Sequence, residues 1–139
     1  MGEGVVTGGC VCGGVRFEVD LPLAGASWCH CSRCRRRTGS LASPNGATRP
    51  GTFRFLSGEE LVTEYEPPGG FVKAFCSVCG GHLYSREPGG WQTVGVRLGA
   101  LDGDPGVTPA YHQHVETVPP WLPVPDDGLP QYPGQRPAG

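Results

Sequence analysis

Seven cysteines in three tight groups constrain this chain more than any other feature. The densest group, Cys29-His30-Cys31-Ser32-Arg33-Cys34, runs straight into Arg35, Arg36 and Arg37. Thiols this crowded serve as disulfides, redox pairs or metal ligands. A tetrahedral zinc takes sulfurs about 2.3 Å from the ion, and a Cys-x-Cys-x-x-Cys loop can bring three to one point. The stretch carries no obvious fourth ligand. Either a coordination position stays open, as in a catalytic zinc, or a distant Cys or His closes the site and makes it structural.

The odd number of cysteines fits poorly with complete disulfide pairing. The start, Met1-Gly2-Glu3-Gly4-Val5-Val6, has neither the basic opening nor the apolar run of a secretory signal. Together these predict a reducing, cytoplasmic setting in which cysteines serve metal or catalysis. No stretch approaches the roughly 20 apolar residues of a membrane span, so no membrane partner is expected. A net charge of -2 and a sequence pI of about 6.0 argue against a general nucleic-acid binder. The Arg33–Arg37 cluster is the local exception and reads either as a grip on an acidic substrate or as a solvated basic face. The 139 residues suit one domain with a real core. With 24 glycines and 15 prolines, turns should be many and long helices absent.

Gly8-Gly9-Cys10-Val11-Cys12-Gly13-Gly14 opens the body. If this stretch is extended, Cys10 and Cys12 point to one face and can share an ion. Val15–Asp20 alternates apolar and charged residues, which predicts a half-buried strand with Val15, Phe17 and Val19 inward. Further strands are expected at Phe53–Leu56, Leu61–Tyr65, Phe71–Phe75, His82–Ser85, Trp91–Leu98 and Ala110–Val115. The small, polar run Thr38–Asn45 reads as a pocket wall or a surface loop. Cys76-Ser77-Val78-Cys79-Gly80-Gly81 reads as a zinc knuckle. A redox Cys-x-x-Cys is the rival, but that motif normally begins a helix, which Gly80-Gly81 would start poorly. Asp102-Gly103-Asp104 is a turn, without calcium-loop spacing. His112 and His114 share a strand face, and each reads as a metal ligand or a hydrogen-bonded structural histidine. The body is expected to span 1–118. The proline-rich remainder, 119–139, forms a tail partly docked on it, through Trp121 and Leu122.

The cysteines admit two partitions. A zinc ribbon would join Cys31 and Cys34 with Cys76 and Cys79. Alternatively Cys10, Cys12, Cys76 and Cys79 form one set, and Cys29, Cys31 and Cys34 a separate trio. The second uses all seven and is preferred on economy.

Three motifs occur in order: Gly9-Cys10-x-Cys12-Gly13-x-Val15-Arg16-Phe17, Cys29-His30-Cys31-x-x-Cys34-Arg35-x-x-Thr38-Gly39 and Phe75-Cys76-x-x-Cys79-Gly80-x-x-Leu83. Together they resemble the glutathione-dependent formaldehyde-activating enzymes, whose domain is shared with centromere protein V. Gly99-x-Leu101-Asp102 and the stretch from His114 to Tyr132 are similar to later segments of that family. The resemblance implies a mainly β, Mss4-like fold of small coiled antiparallel sheets pinned by zinc. It places a structural zinc on Cys10, Cys12, Cys76 and Cys79, and a second zinc on Cys29, Cys31 and Cys34 with a position open for a substrate thiol. It also implies carbon–sulfur lyase activity that equilibrates glutathione and formaldehyde with S-(hydroxymethyl)glutathione. Cys29, Cys31 and Cys34 are then the catalytic residues, and Arg33, Arg35 and Arg36 the candidates for holding a small thiol–aldehyde adduct. The alternative is a zinc-pinned binding or interaction module without turnover.

Overall fold

The computed structural model describes residues 4–137. Among them lie ten strands and one α-helix: β1 (Val5–Gly9), β2 (Arg16–Asp20), β3 (Gly25–Cys29), α1 (Ser32–Thr38), β4 (Ser43–Ala47), β5 (Phe53–Ser57), β6 (Val62–Tyr65), β7 (Val72–Cys76), β8 (His82–Arg86), β9 (Val94–Arg97) and β10 (His112–Gln113). The fold is mainly β, as the sequence implies.

Two sheets form. The smaller has the order β1-β2-β5, with both pairs antiparallel. The larger has the order β10-β3-β4-β9-β8-β7-β6 and is antiparallel except where β10 joins β3. Alternation in β2 decides the inner face of the small sheet. Phe17 and Val19 are fully buried, while Glu18 and Asp20 on the other face hold Arg54 of β5 at 2.7 Å each. The core joins Val6, Val15, Phe17 and Val19 to Ala74, Cys76, Leu83, Tyr84, Val94 and Val96 of the large sheet.

The second face of the large sheet positions the site. Cys29 pairs with Ser43, Asn45 with Arg97, and Lys73 with Ser85, which in turn faces Gly95. Directly opposed residues share a face, and so do residues two apart on a strand. Cys29, Ser43, Asn45, Arg97, Ser85 and Lys73 therefore stand on one side of the sheet, and Val96 and Tyr84 on the other.

Several elements differ from the sequence expectation. Residues 43–47 are an interior strand rather than a pocket wall or surface loop. Pro44 is tolerated there because β9 pairs only with 45–47, and because the Trp28 N–H opposite Pro44 is turned to Tyr111 of the other neighbour. Gly46 leaves room for Leu23 and Leu98, each of which a Cβ would approach to 2.9 Å. The cysteine loop becomes α1 after Cys31. The strand expected at Trp91–Leu98 begins only at Val94, and that at Ala110–Val115 shrinks to two residues. Trp121 is 75% exposed, and the residues after it are held further on, where the N–H groups of His112 and His114 donate to Pro130 and Gly134.

Candidate metal sites

The sulfurs of Cys10, Cys12, Cys76 and Cys79 lie within 4.8 Å of one another. Cys10 and Cys12 meet in a turn closed by Gly13 N–H donating to the Cys10 carbonyl, not by strand parity as the sequence suggested. Cys76 ends β7, and Gly80 N–H returns to its carbonyl at 2.8 Å to wrap Cys79 back. The two loops come close because Gly81 lacks a Cβ, which would sit 3.2 Å from that of Cys10.

The donor set fits zinc. Sulfurs tetrahedrally disposed about 2.3 Å from an ion lie about 3.8 Å apart. Cys10 and Cys12 are 3.6 Å apart, and Cys12 and Cys76 3.9 Å. A disulfide would need about 2.05 Å, and all seven cysteines are free. Backbone amides already point at the sulfurs: Val15 N–H donates to Cys10 at 3.3 Å and Val78 N–H to Cys76 at 3.4 Å. The N–H groups of Cys12 and Gly81 bring the Cys79 thiol down to about 6. Donors aimed at sulfur favour the thiolate, which is the form that binds metal.

The second set is Cys29, Cys31 and Cys34, again with sulfurs within 4.8 Å. Among the described residues no fourth Cys, His, Asp or Glu atom joins them at that distance. Cys29 ends β3. Cys31 caps α1, its sulfur accepting Cys34 N–H at 3.3 Å, and Cys34 is buried in the first turn. A Cys-x-x-Cys pair at a helix start thus occurs here rather than at Cys76. The three sulfurs compete for protons. Hydrogen bonds from Cys29 and Cys34 hold Cys31 far below the usual thiol range, and the same contact with Cys31 drives Cys29 far above it. Three softly basic sulfurs of which one is readily ionised suit a soft divalent ion.

His30, between Cys29 and Cys31, is fixed from outside the loop. Its Nε2 meets His112 Nδ1 at 2.8 Å, and His112 Nε2 meets Asp127 Oδ2 at 2.8 Å. His30 N–H also donates to Gln113. His112 is therefore a buried structural histidine, while His114 sits in a left-handed turn outside the trio.

The arginines of α1 divide by task. Arg33 donates to the Pro68 carbonyl and Arg35 to the Thr117 carbonyl, both at 2.9 Å, and Arg36 is exposed. Arg33 thereby borders a cavity of about 320 Å³ lined by Pro67, Pro68 and Phe71, set apart from the cysteines. Basic groups electrostatically coupled to the trio include Arg97 and Lys73 from the sheet face, Arg37 three residues beyond Cys34 on α1, and His114, which acts on Cys31. Desolvation pulls Arg37 down to about 10. Sequence reading missed Arg97 and Lys73. Asp102, in the expected turn, accepts from Thr7 at 2.6 Å and pairs with Arg16.

The sequence profile described as glutathione-dependent formaldehyde-activating enzyme matches residues 5–117, which contain all seven cysteines. The chain belongs to this family. A family relative from Halomonas elongata, provisionally named a glutathione-dependent formaldehyde-activating enzyme, is 27% identical over 129 residues. The alignment covers 86% of this chain and 81% of that protein. A crystal structure of a Rhodobacter sphaeroides protein superposes with a TM-score of 0.58 at 27% identity, covering 91% of this chain and 98% of the other. Asp127, which holds the His112–His30 chain, lies beyond the family match.

Proposed function

We propose that this family member is a zinc-dependent carbon–sulfur lyase acting on the adduct of a small thiol and an aldehyde, of the kind represented by S-(hydroxymethyl)glutathione. The observation that carries the reading is the inequality of the two donor sets. Four converging sulfurs, that of Cys76 fully buried, complete a tetrahedral set and suit a structural ion. Three sulfurs with no fourth donor among the described residues leave a place for a substrate sulfur.

Zinc held by Cys29, Cys31 and Cys34 would supply a Lewis-acid position at which a thiol, ordinarily near pKa 8.5, ionises at neutral pH. The chain's own part is placement and charge. β3 and the first turn of α1 fix the ligands, and the His30–His112–Asp127 chain holds the loop between them. Arg97, Lys73 and Arg37 set a positive field beside the place where substrate sulfur becomes anionic. In the forward direction sulfur attacks the carbonyl carbon, a C–S bond forms, and the proton released by the thiol is taken up at the carbinol oxygen. The reverse breaks that bond. Little barrier remains beyond bringing the partners together, so positioning is the catalytic device.

Zinc content and thiol titration test the reading. Two zincs per chain, one perturbed by glutathione, and faster exchange between free and adduct formaldehyde by NMR are expected. One zinc, inert to thiols, would assign the chain to a zinc-pinned binding module.

A further inference from the structure

Charge around the trio does not balance. Arg97 is 7% exposed. Its Nη atoms go to neutral acceptors, Asn45 Oδ1 at 2.9 Å and Ser85 Oγ at 2.6 Å, and its Nε has no partner. Lys73 approaches the same serine hydroxyl at 3.4 Å. Arg37 is half-buried nearby, and burial together with the Arg97 charge lowers the proton affinity of both Arg37 and Lys73. The carboxylate pairs of the described residues go to Arg16, Arg54, Arg86 and His112 and include none of these three. A buried cation without an anion is unfavourable, and such groups persist where a partner arrives from elsewhere.

The trio alone does not supply that partner. Three thiolates around a divalent ion leave one negative charge, and a substrate thiolate makes it two. Three cations still exceed that by one. The sheet register says where the missing anion sits. Arg97 and Lys73 stand on the same face as Cys29, Arg97 two strands from it on β9 and Lys73 four strands from it on β7, and α1, which touches β4, carries Cys34 and Arg37 one helical turn apart. Strands about 4.8 Å apart, with the two-residue offset from Ser43 to Asn45, put the Arg97 backbone about 12 Å from that of Cys29. A long guanidinium side chain closes much of that gap.

We propose that Arg97, Lys73 and Arg37 form an anion subsite beside the three-cysteine site, which takes a carboxylate borne a few bonds from the sulfur of the same small thiol. The proposal rests on the open-site reading above and narrows it to thiols carrying an acidic group. A planar carboxylate matches the guanidinium fork, and Lys73 adds a point charge. Neutral thiols would reach the sulfur position without this second hold.

The test uses the full chain loaded with cobalt(II), whose absorption reports a new thiolate ligand. The probes are mercaptopropionate and its methyl ester, alike in sulfur and differing in charge. The acid should bind at least about tenfold more tightly than the ester, the ratio expected of one charge-assisted hydrogen bond. Lys73→Gln should reduce that ratio to about threefold or less, and Lys73→Arg should restore it. Equal affinity for acid and ester in the parent protein overturns the subsite alone, whether or not any variant folds. A ratio unchanged by Lys73→Gln overturns it too. A cobalt spectrum that no thiol alters overturns the open site and the subsite together.

Discussion

Replacing one ligand from each cysteine set should give opposite outcomes, and the structure supplies the magnitudes. Cys12 and Cys76 are 64 residues apart in sequence. By the chain-entropy relation for a cross-link, tying ends that far apart restrains the unfolded chain by about 4 kcal/mol, against about 2 kcal/mol for the short Cys29–Cys34 loop. Cys76 is also fully buried in the core. Cys76→Ser therefore loses the long cross-link and buries a hydroxyl, which adds about 1–3 kcal/mol if unsatisfied. The sum is a large share of the roughly 5–15 kcal/mol that holds a domain folded. Cys31 sits differently. Its sulfur caps α1, and serine is among the best residues for that position, so Cys31→Ser keeps the cap and should lose at most the about 2 kcal/mol of the short loop. Cys76→Ser is expected to abolish soluble folded protein. Cys31→Ser should stay folded, hold one zinc fewer, lose thiol binding and shift the thermal midpoint by less than about 8 °C. Soluble yield, thermal midpoint and zinc per chain measure all of this. If both variants collapse alike, the two sets are not independent sites and the open-site mechanism falls.

Two further outcomes follow from local geometry. Glu64 accepts both Arg86 nitrogens at 2.7 and 2.9 Å and the Tyr84 hydroxyl at 2.8 Å. Arg86 first, then Tyr84, hold its carboxyl below the ordinary value. A depressed carboxylate contributes stability above its unfolded pKa and loses it as pH falls through the folded one. Glu64→Gln should thus lower the midpoint near neutrality, by about 1 kcal/mol after allowing for solvent, and the gap should close below about pH 4; a gap independent of pH refutes the pairing. Gly58 and Gly69 both have positive φ, but only at Gly58 would a Cβ strike the Gly14 carbonyl. Gly69→Ala should cost about 1–2 kcal/mol by denaturant unfolding, and Gly58→Ala distinctly more; equal costs would show that the backbone there yields.

Parts of this were legible in the sequence for definite reasons. Strand β2 announced itself because Arg16, Glu18 and Asp20 face water while Phe17 and Val19 do not. The knuckle at Cys76 was legible because its ligands are local. β4 was hidden because proline and glycine usually argue against an interior strand, and only the early end of β9 makes Pro44 harmless. α1 was hidden because its seven residues are too few for periodicity to show. Arg97 is the most instructive miss. Alternation with Val94 and Val96 places it on the far face of its strand, which reads as solvent. Alternation names a face and not what stands beside it, and here Arg97 is buried within electrostatic reach of the cysteine trio.

The clamp on His30 also orders events in time. Its outer members, His112 and Asp127, are the last parts of either site to be synthesised. Translation at about 5–20 residues per second separates Cys79 from Asp127 by about 2–10 s. Throughout that interval the four-cysteine set is complete on the nascent chain, while the trio has its sulfurs but not its brace. A ribosome stalled before codon 127 would display a chain with all seven cysteines made and the Cys29–Cys34 loop still without its outer brace.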